Sequence, residues 1–391
     1  MIQAALPYVP KNLRRGSQLF ALVFICISHL RAQTVVPLSD LSSFQNPSSS
    51  WRIAGGVFAS LEKDNLLTTT PGTGILVNLP EQKAPGKDLL TQLQHGDADV
   101  ELDYLMAKKS NSGIYLQGRY EIQLLDSWGV RRPNYGDNGG IYERWDDSRG
   151  KGKEGYEGFA PRQNVTRAPG LWQHLKISFQ APRFDATGKK TENARIIRAE
   201  LNGVVIHENV EMAGVTRGAS GVEAATGPLR IQGDHGAVAI RNLKITNYDK
   251  ARPELTALKY TVYKGLYEKE PDYAKLPPEA SGPYGTLSSN INNLPDSFLL
   301  RYTGTLKIKE PGEYVFNLST LAGTGALKIN NQIVTGLGGR SNRVRATLPA
   351  GDLPFELLYS KFMDWGKPSL GLSLSGPGVR EFSLAEGSTT A

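Results

Sequence analysis

Short segments in which hydrophobic and polar residues alternate recur along the chain between residues 34 and 247. A period of two residues predicts β-strands that bury one face. The clearest segments are 100–105, 120–124, 175–179, 195–201 and 237–245. Asn202-Gly203, which follows one of them, is typical of a two-residue hairpin turn. Because no long helical period occurs here, we expect antiparallel strands in a β-sandwich or jelly roll.

A second block of strand-like segments follows a break in this pattern. The break, at about 248–258, contains Pro253 and predicts a linker. The segments beyond it are 298–308, 312–318, 326–329, 343–348, 355–359 and 369–374. We therefore expect an all-β protein with a first β-sandwich or jelly roll and a second β-sandwich. The expected divisions are a signal peptide at 1–32, the jelly roll at 33–249, a linker at 250–260 and the second sandwich at 261–386.

The first 32 residues resemble an export signal. Lys11, Arg14 and Arg15 precede an apolar stretch at 19–28, which is shorter than the roughly 20 residues that span a bilayer. This arrangement fits a secretory signal with cleavage near Ala32. We expect an exported protein, periplasmic or extracellular, whose mature chain has no transmembrane segment.

The charge balance changes once this signal is removed. The chain has 45 Lys and Arg against 38 Asp and Glu, a net charge of +7. Four of the basic residues and none of the acids lie in residues 1–32, so the remainder carries +3. The single cysteine, Cys26, lies there too, which excludes a disulfide framework in the mature chain. A nearly neutral chain gives no reason to expect nucleic acid as a partner.

Polar side chains share one face in three consecutive predicted strands. We expect these strands to be neighbours in one sheet. A sheet face with acids and amides but no Lys or Arg is suited to bind a ligand rich in hydroxyl groups. The alternative is that this face is simply exposed to solvent. The residues are Asp99, Glu101 and Asp103 in the first strand, Asn111, Gly113, Tyr115 and Gln117 in the second, and Glu121 and Gln123 in the third.

A long segment from 128 to 159 follows these strands. Its aromatic residues argue against simple disorder, so it is either the wall of a sugar site or a loop packed on itself. Its acids Asp137, Asp146 and Asp147 are candidate calcium ligands, although such acids often bind nothing. The aromatic residues are Trp128, Tyr135, Tyr142, Trp145 and Tyr156.

His235 is the histidine that best fits a site, because Gln232 and Asp234 stand beside it just before a predicted strand. The chain has no Gly-x-Ser-x-Gly elbow, phosphate-binding loop, dinucleotide fingerprint or His-Glu-x-x-His pair. The sequence therefore gives no support for a nucleotide-dependent enzyme, a serine hydrolase or a zinc protease.

The first block resembles the 3-keto-disaccharide hydrolase family over roughly residues 35–248. The resemblance implies a jelly roll of the concanavalin A-like lectin/glucanase type that acts on glycosides whose sugar carries a ketone at carbon 3. The chain departs from the family in a charged insert at 144–157 and a long loop at 182–193. The segments that carry the resemblance are 111–118, 120–126, 140–142, 160–161, 170–172, 201–203, 231–236 (Ile-Gln-Gly-Asp-His-Gly) and 240–245.

The second block resembles the protective-antigen-type carbohydrate-binding domain over about 260–385. Segments 300–306, 311–316, 326–331 and 371–374 carry this resemblance. Calcium-dependent members have paired aspartates before a glycine-rich turn, but residues 321–325 read Leu-Ala-Gly-Thr-Gly. A structural or docking role of this second domain is therefore expected no less than sugar binding.

A 3-ketone acidifies the hydrogen on carbon 2, so a base can form an enolate that expels the group on carbon 1, and water then adds back. We expect Glu121 or Glu101 to be the base, with His235 or Asp126 as the acid or the group that orients it. A divalent metal held by Glu and His could bind the ketone oxygen, and the residues leave this open. The substrate-binding candidates are Asn111, Tyr115, Gln117, Gln123, Tyr142 and Gln232.

Two other functions fit the same residues. The first domain could be a lectin-like carbohydrate-binding protein without catalytic activity. It could also be a two-carboxylate glycosidase that cleaves unoxidised sugars. That chemistry needs two acids roughly 5–10 Å apart, which Glu101 and Glu121 would supply if their strands were adjacent.

Overall fold

The computed structural model describes residues 33–384 except Gln82, Ala84 and 339–342. The predicted signal peptide at 1–32 lies outside the described residues. Apart from two 3-10 turns, Asp147–Arg149 and Tyr273–Lys275, the regular structure of the described residues is β-strand. None of the helical segments in this described part is long and apolar enough to cross a membrane.

The first unit is a sandwich of two antiparallel sheets, as predicted. Its strands are β1 Gln33–Val35, β2 Phe44–Gln45, β3 Trp51–Ala59, β4 Leu67–Asn78, β5 Leu89–His95, β6 Asp97–Met106, β7 Asn111–Leu116, β8 Tyr120–Leu125, β9 Arg144–Trp145, β10 Gly155–Tyr156, β11 Gln173–Gln180, β12 Arg183–Phe184, β13 Lys190–Glu192, β14 Ala194–Leu201, β15 Val204–Met212, β16 Gly227–Ile231 and β17 Val238–Tyr248. The larger sheet has the order β15-β14-β11-β6-β17-β4-β3, with β1 also paired to β17, and the smaller has the order β2-β5-β16-β7-β8. Two short hairpins, β9–β10 and β12–β13, lie outside both sheets.

The core of this sandwich lies between the two sheets. Leu102 and Tyr104 on β6 are fully buried there, as are Ile114 on β7 and Leu124 on β8. Because side chains alternate along a strand, the residues between them point to the opposite face. The predicted strands and the Asn202-Gly203 hairpin between β14 and β15 are confirmed.

The predicted adjacency of the three polar strands is wrong. β7 and β8 are neighbours in the smaller sheet, but β6 lies in the larger sheet. Residues 107–110, between β6 and β7, cross from one sheet to the other. A short hairpin loop and a short connection between two sheets have similar composition. The strand periodicity therefore did not show which of the two residues 107–110 form.

The second unit is a sandwich of a six-stranded and a four-stranded sheet. Its strands are β18 Glu254–Lys264, β19 Ala280–Pro283, β20 Phe298–Ile308, β21 Gly312–Leu321, β22 Gly323–Ile329, β23 Gln332–Thr335, β24 Arg343–Leu348, β25 Gly351–Lys361, β26 Ser369–Gly376 and β27 Val379–Ser383. The sheet orders are β19-β18-β20-β25-β22-β23 and β24-β21-β26-β27. Tyr302, Phe316 and Leu357 are buried between them.

The connection between the two sandwiches is shorter than the predicted linker. β18 begins at Glu254 and pairs with β20 from that residue onward, which places 254–260 in the second sandwich. Only 249–253 join β17 to β18. Pro253 directly precedes β18, where its missing N–H costs the sheet no hydrogen bond.

Candidate active site

Four side chains form a row across the face of the smaller sheet that is turned away from the core. Arg230 on β16 is opposite Tyr115 on β7, and Tyr115 is opposite Glu121 on β8. Tyr142 continues the row, since its N–H donates to the Glu121 carbonyl oxygen at 3.1 Å. Side chains directly opposite each other in an antiparallel sheet lie on one face. We call these four residues the Glu121 row.

Glu121 is a buried acid in the middle of this row, only 2% exposed. Burial raises its pKa to about 8, while a hydrogen bond from Tyr115 and the charge of Arg230 act in the opposite direction. The charges of Asp88 and Asp234 add to the increase. Such a carboxyl changes its protonation state near neutral pH, which suits a group that accepts and returns a proton.

Gly113 makes room for the carboxyl group of Glu121. A Cβ atom on residue 113 would lie 2.2 Å from Glu121 Oε1. Gln123 is opposite Gly113 in the register, and its Nε2 donates to Asn111 Oδ1 at 3.0 Å. These two amides therefore lie beside the acid on the same face.

Arg230 is held rigidly beside Tyr115. Its guanidinium carbon lies 3.6 Å from the centre of the Tyr115 ring. Its Nη1 donates to Ser220 Oγ at 2.9 Å, and its Nη2 donates to the Gly218 carbonyl oxygen at 2.6 Å. Asp88 Oδ2 is 3.4 Å from Nη1. The positive charge is thereby fixed at one end of the row, and Arg230 Nε is buried without a hydrogen-bond partner.

The segment after β16 borders the row. Gln232 donates its N–H to the Gly113 carbonyl oxygen at 2.9 Å, while its side-chain Oε1 is buried without a partner. Asp234 and His235 are half exposed, and His235 Nδ1 lies 2.5 Å from Asp234 Oδ1. An unsatisfied buried acceptor is costly, so Gln232 Oε1 is suited to accept a hydrogen bond from a ligand hydroxyl.

Part of the 128–159 segment forms a wall beside Tyr142. The guanidinium of Arg217 stacks on the Trp145 ring at 3.8 Å, and its Nη1 lies 3.5 Å from Glu143 Oε1. The Tyr115 hydroxyl oxygen also lies 3.5 Å from the Arg217 carbonyl oxygen. These contacts link the β9–β10 hairpin to the Glu121 row, so the segment is neither a free loop nor packed only on itself.

Sequence reasoning missed Arg230, Asp88, Glu143 and Arg217. Arg230 alternates with the buried Leu229 and Ile231 and stands two residues before Gln232, so strand parity could have placed it on the polar face. The other three carry no such signal, because they come from loops that approach the sheet only in the folded chain.

Glu101 does not belong to this site. It lies on the outer face of the larger sheet, where Lys244 Nζ, His174 Nε2 and Lys176 Nζ approach it at 3.5, 3.7 and 3.8 Å. The idea that Glu101 and Glu121 stand on adjacent strands is therefore wrong. The polar face of β6 carries a ladder of ion pairs with the neighbouring strands.

Gln117 and Asp126 occupy structural positions. Gln117 lies in the turn after β7 with a φ of 54°, and its Nε2 donates to the Ala225 carbonyl oxygen at 2.8 Å. The turn breaks the strand parity on which its predicted binding role depended. Asp126 accepts from the N–H groups of Lys109 and Trp128 at 2.8 and 3.4 Å, and so anchors two loops.

The candidate metal ligands do not converge. Within the described ranges, no three His, Cys, Asp or Glu side chains come together in a way that could hold a metal ion. Asp137 accepts from Ser127 Oγ and the Asn134 N–H, and Asp146 caps the turn Asp147–Arg149. These residues do not fit a divalent metal ion.

Residues 39–246 match the family of 3-keto-alpha-glucoside-1,2-lyase-like domains. The chain belongs to this family. The matched range includes both sheets of the first sandwich and the whole Glu121 row. Family membership supports a glycosidase-like enzyme with a carbohydrate substrate.

Solved structures similar to the chain include two proposed glycosyl hydrolases from Parabacteroides distasonis. One is 24% identical with a TM-score of 0.40, over 55% of this chain and 83% of that one. The other is 17% identical with a TM-score of 0.35, over 55% and 98%. A β-glucosidase from Kluyveromyces marxianus is 14% identical with a TM-score of 0.26, over 30% and 17%. Likeness at this level carries no argument about the reaction. No curated protein sequence matches the chain.

Proposed function

We propose that the first sandwich cleaves 3-keto-glycosides by elimination followed by hydration. The observation that carries this proposal is the buried carboxyl of Glu121, whose pKa is raised to about 8, next to Tyr115 and in the same row as the fixed charge of Arg230. Elimination next to a ketone needs a base of this strength beside a positive charge that favours an enolate.

The proposed reaction consists of an elimination and a hydration. The base takes the hydrogen from carbon 2, and the electron pair of that bond passes into the enolate at carbon 3. The enolate then reforms the ketone, a double bond forms between carbons 1 and 2, and the bond from carbon 1 to the leaving oxygen breaks. The leaving oxygen takes a proton from the acid. Water then adds its oxygen to carbon 1 and gives one proton back to the acid, while carbon 2 regains a proton from the base, so the net change is hydrolysis.

Glu121 is the proposed base, and after its carboxyl proton exchanges with the solvent it can deliver a solvent-derived proton to carbon 2 in the hydration step. Arg230 supplies the positive charge near the developing enolate. His235, paired with Asp234, is the proposed acid for the leaving oxygen. The proposed hydroxyl-binding side chains are Asn111, Gln123, Tyr142 and Gln232, together with the Tyr115 hydroxyl.

The assay compares a 3-keto-disaccharide with the unoxidised disaccharide, each with and without a chelator, in deuterated water. We expect turnover of the keto substrate alone, with deuterium at carbon 2 of the product. Cleavage of the unoxidised sugar without deuterium would instead identify a two-carboxylate glycosidase. Binding without turnover of either sugar would identify a lectin, and loss of activity with the chelator would require a metal.

We also propose that the protein is exported and that the second sandwich is an accessory, carbohydrate-binding-like domain. The basic and apolar pattern of residues 11–28 supports export. The segments that resemble the protective-antigen-type domain lie on β20, β21, β22 and β26. Their place on strands of the second sandwich supports the proposed carbohydrate-binding-like role of this domain. A pull-down of the isolated chain on insoluble polysaccharides, with and without calcium, tests that binding.

A further inference from the structure

A cavity of about 420 Å³ lies where the two sandwiches meet. Its walls come from the start of β6, the β12–β13 hairpin, the connection after β17 and the start of β27. It shares no lining residue with the Glu121 row. The volume is within the roughly 300–1,000 Å³ that is usual for small-molecule sites, so a small ligand would contact both sandwiches at once.

Arginine side chains outnumber the carboxylates that they contact here. Arg183 Nη2 and Arg252 Nη2 approach the same oxygen of Asp97, Oδ2, at 2.6 and 3.7 Å. Arg380 Nη2 lies 2.8 Å from Asp99 Oδ1. Three guanidinium groups thus share two carboxylates. Burial and the neighbouring charges of Arg183 and Arg380 lower the pKa of Arg252, against the opposing charges of Asp97 and Glu192.

Some of the donors in this wall have no acceptor. Arg380 Nε and Nη1 are buried without a hydrogen-bond partner, and within the described chain Lys250 makes no ion pair. The other acids in the wall are Glu192, which accepts from Gln180 Nε2 at 3.3 Å, and Asp249, which is exposed. Lys250 is exposed in this wall, so the cavity has a cation without an ion pair in the described chain beside its arginines.

We propose that this cavity binds a small oxyanion, a sulfate or carboxylate group that is either free or carried by an acidic sugar. The planar guanidinium fork matches such a group with two parallel hydrogen bonds. Arg380 from the second sandwich, Arg183 from the first and Arg252 from the connection would converge on it. The bound anion would hold the two sandwiches together.

Calorimetric titration of the full chain tests this proposal. The probes are sodium sulfate, sodium glucuronate and glucose, with sodium chloride at matched ionic strength as the reference. We expect saturable binding of sulfate or glucuronate but not of glucose. Arg380→Gln should weaken binding at least tenfold, whereas Arg345→Gln, which removes an exposed pair with Glu313 in the same sandwich, should leave it unchanged.

Comparing the affinities for sulfate and glucuronate shows whether the bound oxyanion is free or carried by an acidic sugar. Tighter binding of glucuronate indicates an acidic sugar, whereas equal or tighter binding of sulfate indicates a free inorganic anion. Arg380→Lys keeps the charge but not the fork, so it should bind with intermediate strength. If Arg380→Gln does not fold, Arg252→Gln takes its place. No saturable heat above the chloride reference, or equal loss in Arg380→Gln and Arg345→Gln, would overturn the proposal.

Discussion

Glu121 Oε1 occupies space that a Cβ atom on Gly113 would fill, since the two positions are 2.2 Å apart. The two residues stand on neighbouring strands, β7 and β8. The absent side chain at 113 therefore decides where the carboxyl group of Glu121 lies. This relationship makes Gly113 part of the site, although it carries no chemistry of its own.

Gly113→Ala is expected to move the Glu121 carboxyl group and to lower kcat at least tenfold. The strand should persist, because β7 does not need a positive φ at this position and the clash is with the end of a side chain. Kinetics and thermal unfolding measured on the same variant check both parts. Gly285→Ala, where a Cβ meets nothing within 4 Å, is the matched control. A lower unfolding temperature of Gly113→Ala with an unchanged kcat would contradict this account.

Glu121→Gln is expected to reduce turnover of a 3-keto-glycoside by roughly 10²–10⁴-fold, the usual contribution of a general base. The amide keeps the shape of the side chain but cannot accept the proton. Glu101→Gln is the control, because Glu101 lies on the outer face of the other sheet among basic side chains. Steady-state kinetics of both variants decide the matter. Equal losses in the two would exclude Glu121 as the base.

The pH dependence of kcat/KM should report the ionisation of Glu121. Because the base must be ionised, activity should rise with pH and level off above about 8. Tyr115→Phe removes a hydrogen bond that stabilises the carboxylate, so the pKa should increase and the rising part of the profile should move to higher pH. A lower plateau with no shift along the pH axis would show that Tyr115 has only a structural role.

Glu121 should also make the folded state less stable as the pH rises. Its pKa in the folded chain is about 8, against an ordinary value of 4.5. Between these values the folded protein holds a proton that the unfolded chain has released, so the contribution of Glu121 to stability is greatest below pH 4.5 and is lost as the pH rises toward 8. Urea unfolding at pH 5 and pH 8 measures this effect. The wild type should lose on the order of a few kcal/mol more than Glu121→Gln.

Trp145→Ala is expected to raise KM several-fold with a smaller change in kcat. One face of its ring carries the Arg217 guanidinium, and the ring is 39% exposed, which leaves area for a sugar ring to stack. Trp365→Ala is the control, because this exposed side chain lies in the second sandwich. An unchanged KM in Trp145→Ala would show that the β9–β10 hairpin is not part of the substrate-binding site.

The period of two residues was enough to predict the strands and their faces. Tyr115 and Glu121 were expected on the polar faces of neighbouring strands, and their direct opposition in the sheet confirms this, with Ile114 and Ile122 buried in the core. Those alternations are local, and each follows from the geometry of a single strand. The same segments carried the resemblance to the family that residues 39–246 match.

Which strands share a sheet was decided by the tertiary structure. β6 and β7 are consecutive but lie in different sheets, and this separates Glu101 from Glu121. Arg230 reaches Tyr115 because β16 pairs with β7, more than a hundred residues earlier. Such pairings depend on how the whole sandwich buries its apolar faces, and no local pattern contains that information. The sequence alone therefore determined the strands and the family, whereas the folded chain determined which side chains meet at Glu121.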